Sequence, residues 1–125
     1  MGLIENFERM IRDGKDSALL RFGLGQEYLR AGDAAAAVTH LERAVATDAG
    51  YSAAWKLLGK ARESVGDGTG AARAWESGIG AAEARGDKQA AKEMQVFLRR
   101  LHKRAAADQD SAQAAPDSSG EGAHG

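Results

Sequence analysis

The chain has 125 residues, no cysteine and a formal net charge of −1 at pH 7. The lack of cysteine excludes a disulfide scaffold, a thiol nucleophile and a cysteine-based zinc or iron–sulfur site. The balanced charge gives no general attraction to nucleic acid or anionic lipid, and no secretory signal or membrane-spanning apolar run is found, so a cytoplasmic protein without membrane contact is predicted.

Helix is the predicted element, because 27 of the 125 residues are alanine whereas β-branched and aromatic residues are few. In chain order, six helices are predicted, at about 3–13, 18–31, 34–47, 52–65, 68–84 and 88–104. The predicted fold class is therefore all-α.

Glycine followed by aspartate marks three of the predicted helix boundaries, at Gly32-Asp33, Gly66-Asp67 and Gly86-Asp87. Glycine in the left-handed conformation ends one helix, and the aspartate side chain then accepts free N–H groups of the next. Ser17 and Ser52 are predicted to cap helices in the same way. Helices joined so tightly fold back on each other.

The predicted helix pairs repeat along the chain. The length of one repeat is the spacing from Gly32-Asp33 to Gly66-Asp67. The positions that match at this spacing are Leu24 and Leu58, Gly25 and Gly59, Ala37 and Ala71, and Leu41 and Trp75. The period also extends backwards to Leu3, Phe7 and Met10, which lie one period before Ala37, Leu41 and Ala44. The N-terminal segment is therefore predicted to be the second helix of a half-repeat.

This pattern resembles the tetratricopeptide repeat, W-x2-L-G-x2-Y followed by A-x3-F. The second unit reads Trp55-x2-Leu58-Gly59-x2-Arg62 and then Ala71-x3-Trp75, and the first reads Arg21-x2-Leu24-Gly25-x2-Tyr28 and then Ala37-x3-Leu41. The resemblance, to short bacterial members of the family, implies an α-solenoid of antiparallel helix pairs. Its parts are a half-repeat helix at 1–16, units at 17–50 and 51–86, and a C-terminal capping helix at 87–104.

Residues 105–125 contain no large apolar side chain and are predicted to form a disordered tail.

Gly25 and Gly59 lie inside predicted helices, where glycine costs about 1 kcal/mol relative to alanine. Glycine at these positions indicates that the facing helix comes too close to leave room for a Cβ atom. Ala37 and Ala71 are predicted to be the small residues opposite. Both ends of the stack are expected to be covered, so a monomer is predicted.

The resemblance implies a protein or peptide interaction module without catalysis, in which the first helix of each unit lines a concave groove. The groove residues carried over by position are Leu19, Phe22, Gln26, Leu29 and Arg30 in the first unit, and Ala53, Lys56, Lys60 and Glu63 in the second. Some relatives grip a peptide carboxylate with Lys and Asn at such positions, but Phe22 and Gln26 stand there in the first unit. In the alternative interpretation, Lys56 and Lys60 are only solvated and Phe22 packs on the half-repeat helix.

No catalytic, cofactor or metal site is predicted. His40 and His102 lack the neighbours of a catalytic grouping, and Gly14-Lys15-Asp16 lacks the phosphate-loop pattern. The alternative function is nucleic-acid binding through the basic helix 88–104. It is the less favoured one, because no aromatic platform for bases accompanies the cations and Phe97 is needed for the core.

Overall fold

The computed structural model describes the backbone of residues 2–124 and the side chains of residues 2–111. Its helices are α1 (Leu3–Arg12), α2 (Ala18–Arg30), α3 (Ala34–Thr47), α4 (Ser52–Ser64), α5 (Gly68–Ala84) and α6 (Lys88–His124). No strand occurs over this part of the chain, which confirms the all-α prediction, and the bounds of α1 to α5 agree with the predicted ones to within one residue.

The helices form two layers. Each helix packs on the next along the chain, and α4 also contacts both α2 and α6. Between residues 2 and 124, no such contact joins α1, α3 and α5 to one another. The helices α2, α4 and α6 are therefore the inner, concave layer of a solenoid of antiparallel pairs, and α1, α3 and α5 are the outer layer.

The helix boundaries follow the predicted local chemistry. Gly32, Gly66 and Gly86 have φ of 85°, 86° and 75°, and the aspartate after each glycine accepts a backbone N–H of the next helix. Ser17 likewise accepts from the Leu20 amide. The prediction for Ser52 is wrong, since Ser52 is the first residue of α4 and Tyr51 occupies the N-cap without a side-chain hydrogen bond.

The core depends on close approach between helices at two glycines. A Cβ at Gly25 would lie 2.5 Å from Cγ of Leu41, and a Cβ at Gly59 would overlap the indole of Trp75. The residues opposite the glycines are therefore the large ones and not Ala37 and Ala71, which corrects the sequence prediction. The glycines leave the space that the large side chains of the facing helix fill.

The N-terminal end of the stack is open. No residue of α1 is buried, and Leu3 and Met10 are 47% and 40% exposed, whereas Ala37 and Ala44 at the matching positions of α3 are fully buried. The difference arises because α2 covers α3, while no inner helix among the described residues covers α1. The prediction that both ends are covered is wrong at this end, and the monomeric state stays a prediction.

The C-terminal end is covered by α6, whose Met94 is fully buried against α5 in a cluster with Trp75 and Ala82. The helix continues past the predicted end at residue 104 to His124. The side chains of residues 102–111 are exposed, and Ala105, Ala106 and Ala107 favour helix just after residue 104. The predicted disorder of residues 105–125 in solution stays a prediction. Among the helices of the described residues, none is long and apolar enough to cross a membrane.

Candidate partner-binding groove

The predicted groove residues of the first unit meet α1 in a cleft of about 400 Å³, which we call the N-terminal cleft. Leu19, Phe22 and Gln26 of α2 face Phe7 and Met10 of α1 across it. Its remaining lining residues are Lys15, Ser17, Leu20 and Gly23. The surface is mainly apolar, and among the described residues Lys15 is the one charged member of its lining.

Local sequence chemistry builds this cleft. Gly14, with φ of 85°, ends the turn after α1, and Ser17 caps the start of α2. Gly23 permits α1 to lie close to α2, because a Cβ at this position would be 3.0 Å from Cε2 of Phe7. The two helices are thus held in contact at Gly23, with the cleft beside this contact.

Phe22 is fixed from the side opposite the cleft. Its ring centroid lies 5.1 Å from that of Tyr51, and it packs against the core cluster of α3 and α4. The alternative interpretation, in which Phe22 packs on the half-repeat helix, missed this contact with the second unit. Phe22 is therefore a preformed part of the cleft wall.

The last two groove residues of the first unit lie elsewhere. Leu29 packs on the core cluster of α3 and α4 and does not line the N-terminal cleft. Arg30 forms an ion pair with Glu27 at 2.9 Å, in a shallow depression that also includes Leu3 and Glu5 of α1. The structure therefore separates Arg30 from Leu19 at opposite ends of α2.

Three of the four groove residues of the second unit contact α6. Lys56 Nζ donates to Glu93 Oε1 at 2.6 Å, and Lys60 Nζ lies 4.7 Å from the centroid of the Phe97 ring. Ala53 is partly exposed, and Glu63 pairs with Arg104. A carboxylate of a partner would have to displace Glu93, whose pKa is lowered by its hydrogen bonds from Lys56 and Gln89.

Sequence reasoning treated these two lysines as either a clamp or a solvated pair, and both interpretations omitted α6. The signal that was available is the order of the helices. If α4 lies beside α2 in the inner layer, the next inner helix is α6, and its side chains reach Lys56 and Lys60. The basic residues of α6 also differ from one another in their contacts. Arg104 pairs with Glu63, whereas Arg99 and Lys103 are exposed. Nucleic-acid binding through this helix stays an untested prediction.

A polar network joins α1, α2 and α3 behind the cleft. Arg21 donates through both Nε and Nη2 to Asp16 at 2.8 Å, and its Nη1 contacts His40 Nδ1 at 3.1 Å. Tyr28 stacks on His40 with ring centroids 5.4 Å apart and donates its hydroxyl to Glu8 of α1. Arg21 thus has a structural role at the position where the family pattern has Trp.

This network shifts the pKa values of several of its members. The hydrogen bond to Glu8 raises the pKa of Tyr28 to about 12, and the hydrogen bond from Arg21 lowers the pKa of Asp16. Burial, together with the charge of Arg21, lowers the pKa of His40 below 6.5. The folded structure therefore favours the neutral form of His40.

We expect acidification from pH 7 to pH 5 to lower the free energy of unfolding in part through His40. The unfolded chain binds the His40 proton more readily than the folded one, so this stability is present above pH 6.5 and is lost as the pH falls through the folded pKa. The measurement is urea unfolding at several pH values, with His40→Gln and, as control, His102→Gln at an exposed histidine. His40→Gln reduces the slope, and equal slopes for both variants contradict the assignment.

The N-terminal cleft is suited to holding apolar groups. Within residues 2–111, no group of three or more His, Asp or Glu side chains is placed to hold a metal ion. The N-terminal cleft has apolar walls and a single cation, and its aromatic rings are already packed. Removal of apolar surface of this kind from water is favourable.

Comparisons with known proteins agree with this architecture. A family model described as tetratricopeptide repeat matches residues 18–61. The TPR repeat-containing protein PA0015 of Pseudomonas aeruginosa is 60% identical over 99 residues, which are 79% of this chain and 94% of the relative. The solution structure of protein BPP2914 from Bordetella parapertussis has a TM-score of 0.75 and 46% identity, covering 88% of this chain and 96% of the other.

A third similar protein is a tetratricopeptide repeat domain from Salinibacter ruber, with a TM-score of 0.66 and 26% identity over 70% of this chain and 98% of that domain. The matched region covers nearly the whole of the Pseudomonas relative, of the Bordetella protein and of the Salinibacter domain. The sequence period, the layered helix pairs and the family match therefore have one explanation. The chain belongs to the tetratricopeptide repeat family.

Proposed function

We propose that the chain is an adaptor or assembly factor that binds a partner protein through the N-terminal cleft and has no catalysis of its own. The tetratricopeptide fold is generally a protein–protein interaction module. The observation that carries the proposal is the position of exposed apolar groups. Of the four large apolar side chains that are exposed among the described residues, three lie on α1 and α2: Leu3, Met10 and Leu19.

Leu19 is the most exposed of them, at 71%. It stands beside Phe7, Phe22 and Met10 in one cleft, so a partner side chain placed there loses contact with water on several sides at once. Burial of apolar surface of this kind contributes about 25 cal/mol per Å². Clustered aromatic and aliphatic contacts in a preformed pocket are typical of the residues that dominate binding energy.

The preformed walls also favour binding. Phe22 is held by Tyr51, and α1 is tied to α2 by the hydrogen bond from Tyr28 to Glu8. Side chains that are already fixed lose little conformational freedom when a partner arrives. The second-unit residues Lys56 and Lys60 have contacts to α6, and for this reason we assign them a secondary role at the edge of the partner surface.

The test is affinity capture with three forms of the full chain as bait. We expect wild type and Val65→Glu to retain the same partner, and the double variant Met10→Glu/Leu19→Glu to lose it. Val65 is the matched control because it is 48% exposed and apolar but lies outside the cleft. Circular dichroism must show that all three fold, as expected for exposed positions. A partner retained equally by all three baits rules out the cleft as its binding surface.

A further inference from the structure

The internal period shows what covers the face of α1 elsewhere in the molecule. In the two complete units, Leu41 lies on Gly25 of α2 and Trp75 lies on Gly59 of α4. Phe7 occupies the same position of the period, one repeat before Leu41. Phe7 contacts Gly23 of α2 on one side. In the position on α1 that corresponds to that of α2 on α3 and of α4 on α5, the described residues place no helix.

We propose that the N-terminal cleft binds an amphipathic α-helix of a partner protein. This helix lies on α1 as α2 lies on α3, in the position where the described residues place no inner helix. The inference rests on the proposed function and specifies the form of the partner. Helix-in-groove binding of this kind uses an apolar stripe at positions i, i+3, i+4 and i+7.

The repeat also specifies the side chains of the partner helix. In both complete units the covering helix presents leucine followed by glycine, as Leu24-Gly25 and Leu58-Gly59. The glycine makes room for the large residue of the outer helix. A helix that covers α1 therefore places a small residue over Phe7, with a large apolar residue next to it.

The repeat sets the direction of the partner helix, and the charges beside α1 favour particular residues at its two ends. Within a unit the two helices are antiparallel, so the partner helix starts near the C-terminal end of α1 and ends near its N-terminal end. Lys15 lines the surface at the first of these places, and Glu5 lines the depression at the second, beside the ion pair of Glu27 and Arg30. The best complement is a helix with acidic residues in its first turn and basic residues in its last, which also suits its macrodipole.

Other occupants fit less well. Residues 105–125 of this chain contain no large apolar side chain, so they cannot fill an apolar cleft. A second copy would have to offer a helix, but α2 to α6 each bury side chains in their own stack. Among the described helices only α1 buries none, but its sequence from Leu3 to Arg12 contains neither glycine nor alanine, so α1 of a second copy offers no small residue to lie over Phe7. The geometry therefore favours a helix from a different protein.

The probe is a fluorescently labelled peptide of residues 17–31, acetylated and amidated, because this segment carries the Leu24-Gly25 pair of a covering helix. A peptide this short is only marginally helical in water, so helix formation on binding is visible by far-ultraviolet circular dichroism. The matched control peptide carries Gly25→Leu, which removes the space for Phe7. Anisotropy titrations use the full-length wild type, Met10→Glu/Leu19→Glu and Val65→Glu.

We expect saturable binding with a gain of helical signal, about tenfold weaker or more for the double variant and for the Gly25→Leu peptide, and unchanged for Val65→Glu. No saturable binding, or equal binding of both peptides, contradicts the inference. If capture still depends on Met10 and Leu19 in that case, the proposed function stands and only the helical partner is wrong. A wild-type dimer that the double variant dissociates identifies a second copy as the occupant and also overturns the inference.

An additional arm tests the charge argument. Ala18→Glu in the peptide places a carboxylate in the first turn of the helix, near Lys15 of the protein. We expect this peptide to bind more tightly than the parent at low salt, and the gain to disappear with Lys15→Glu protein. A gain that persists with Lys15→Glu contradicts the assigned direction of the helix.

Discussion

Replacement of Trp75 by alanine is expected to lower the free energy of unfolding by about 3–5 kcal/mol. Trp75 is 1% exposed and lies over Gly59 of α4. Its ring is 5.4 Å from that of Phe97 in α6, and its Nε1 donates to the Lys56 carbonyl at 3.1 Å. One side chain of α5 therefore fills the space between α4 and α6, and its loss leaves a cavity at their junction.

The measurement is urea unfolding followed by circular dichroism, with Trp55→Ala as the matched control in the same unit. Trp55 is partly exposed, although its Nε1 also donates to a carbonyl, that of Ala49. Its removal is expected to destabilise the protein less, because less buried surface is lost. The stability lost with Trp75 is a large share of the free energy of unfolding of a whole domain, which is typically about 5–15 kcal/mol. Equal losses at Trp55 and Trp75 contradict the assigned packing.

Gly59→Ala and Gly80→Ala are expected to change stability in opposite directions, although both place alanine inside a helix. Alanine is favoured over glycine by about 1 kcal/mol in a helix. At Gly80 the new methyl group meets no atom within 4 Å, so most of this gain is realised. At Gly59 the methyl group overlaps Trp75, and overpacking of a core typically costs about 1–3 kcal/mol.

Urea midpoints of the two variants against wild type measure this pair directly. Gly80→Ala is expected to move the midpoint up, and Gly59→Ala is expected to move it down. A stabilised Gly59→Ala protein shows that the α4–α5 approach is looser than described. The pair also separates the two uses of glycine in this chain, since one position requires the small residue and the other does not.

The helix boundaries were predictable because they depend on local chemistry. A glycine with positive φ followed by a capping aspartate works the same way at Gly32, Gly66 and Gly86, whatever packs nearby. The sequence period extended this local information to the order of the pairs. Ser52 was mistaken for a cap because a serine before an alanine-rich helix fits an N-cap and a first-turn position equally well.

Contacts between elements were harder to predict. The period identified Gly25 and Gly59 as places of close approach, but it did not show which side chain of the facing helix fills the space. Nor did it place Glu93 against Lys56, because α6 lies outside the repeat register and its orientation depends on how α5 presents its surface. Contacts of Phe22 with Tyr51 similarly join two units across the inner layer.

The open end of the stack was missed for a related reason. From the sequence, α1 was predicted to be the second helix of a half-repeat, and both ends of the stack were nevertheless expected to be covered. In the structure one side of α1 lies on α2, while Leu3 and Met10 are exposed. A helix that covers a neighbour is buried only if something covers it in turn.

The central claim is that the N-terminal cleft is the surface through which the chain meets its partner. The most direct test is a photo-crosslinking amino acid placed at Leu19 in one form of the protein and at Val65 in another, each expressed in the cells that normally make it. Both positions are exposed and apolar, so nonspecific contacts affect them alike. The account predicts a discrete crosslinked partner from Leu19 and none from Val65. A partner crosslinked only at Val65, or equally at both positions, contradicts it.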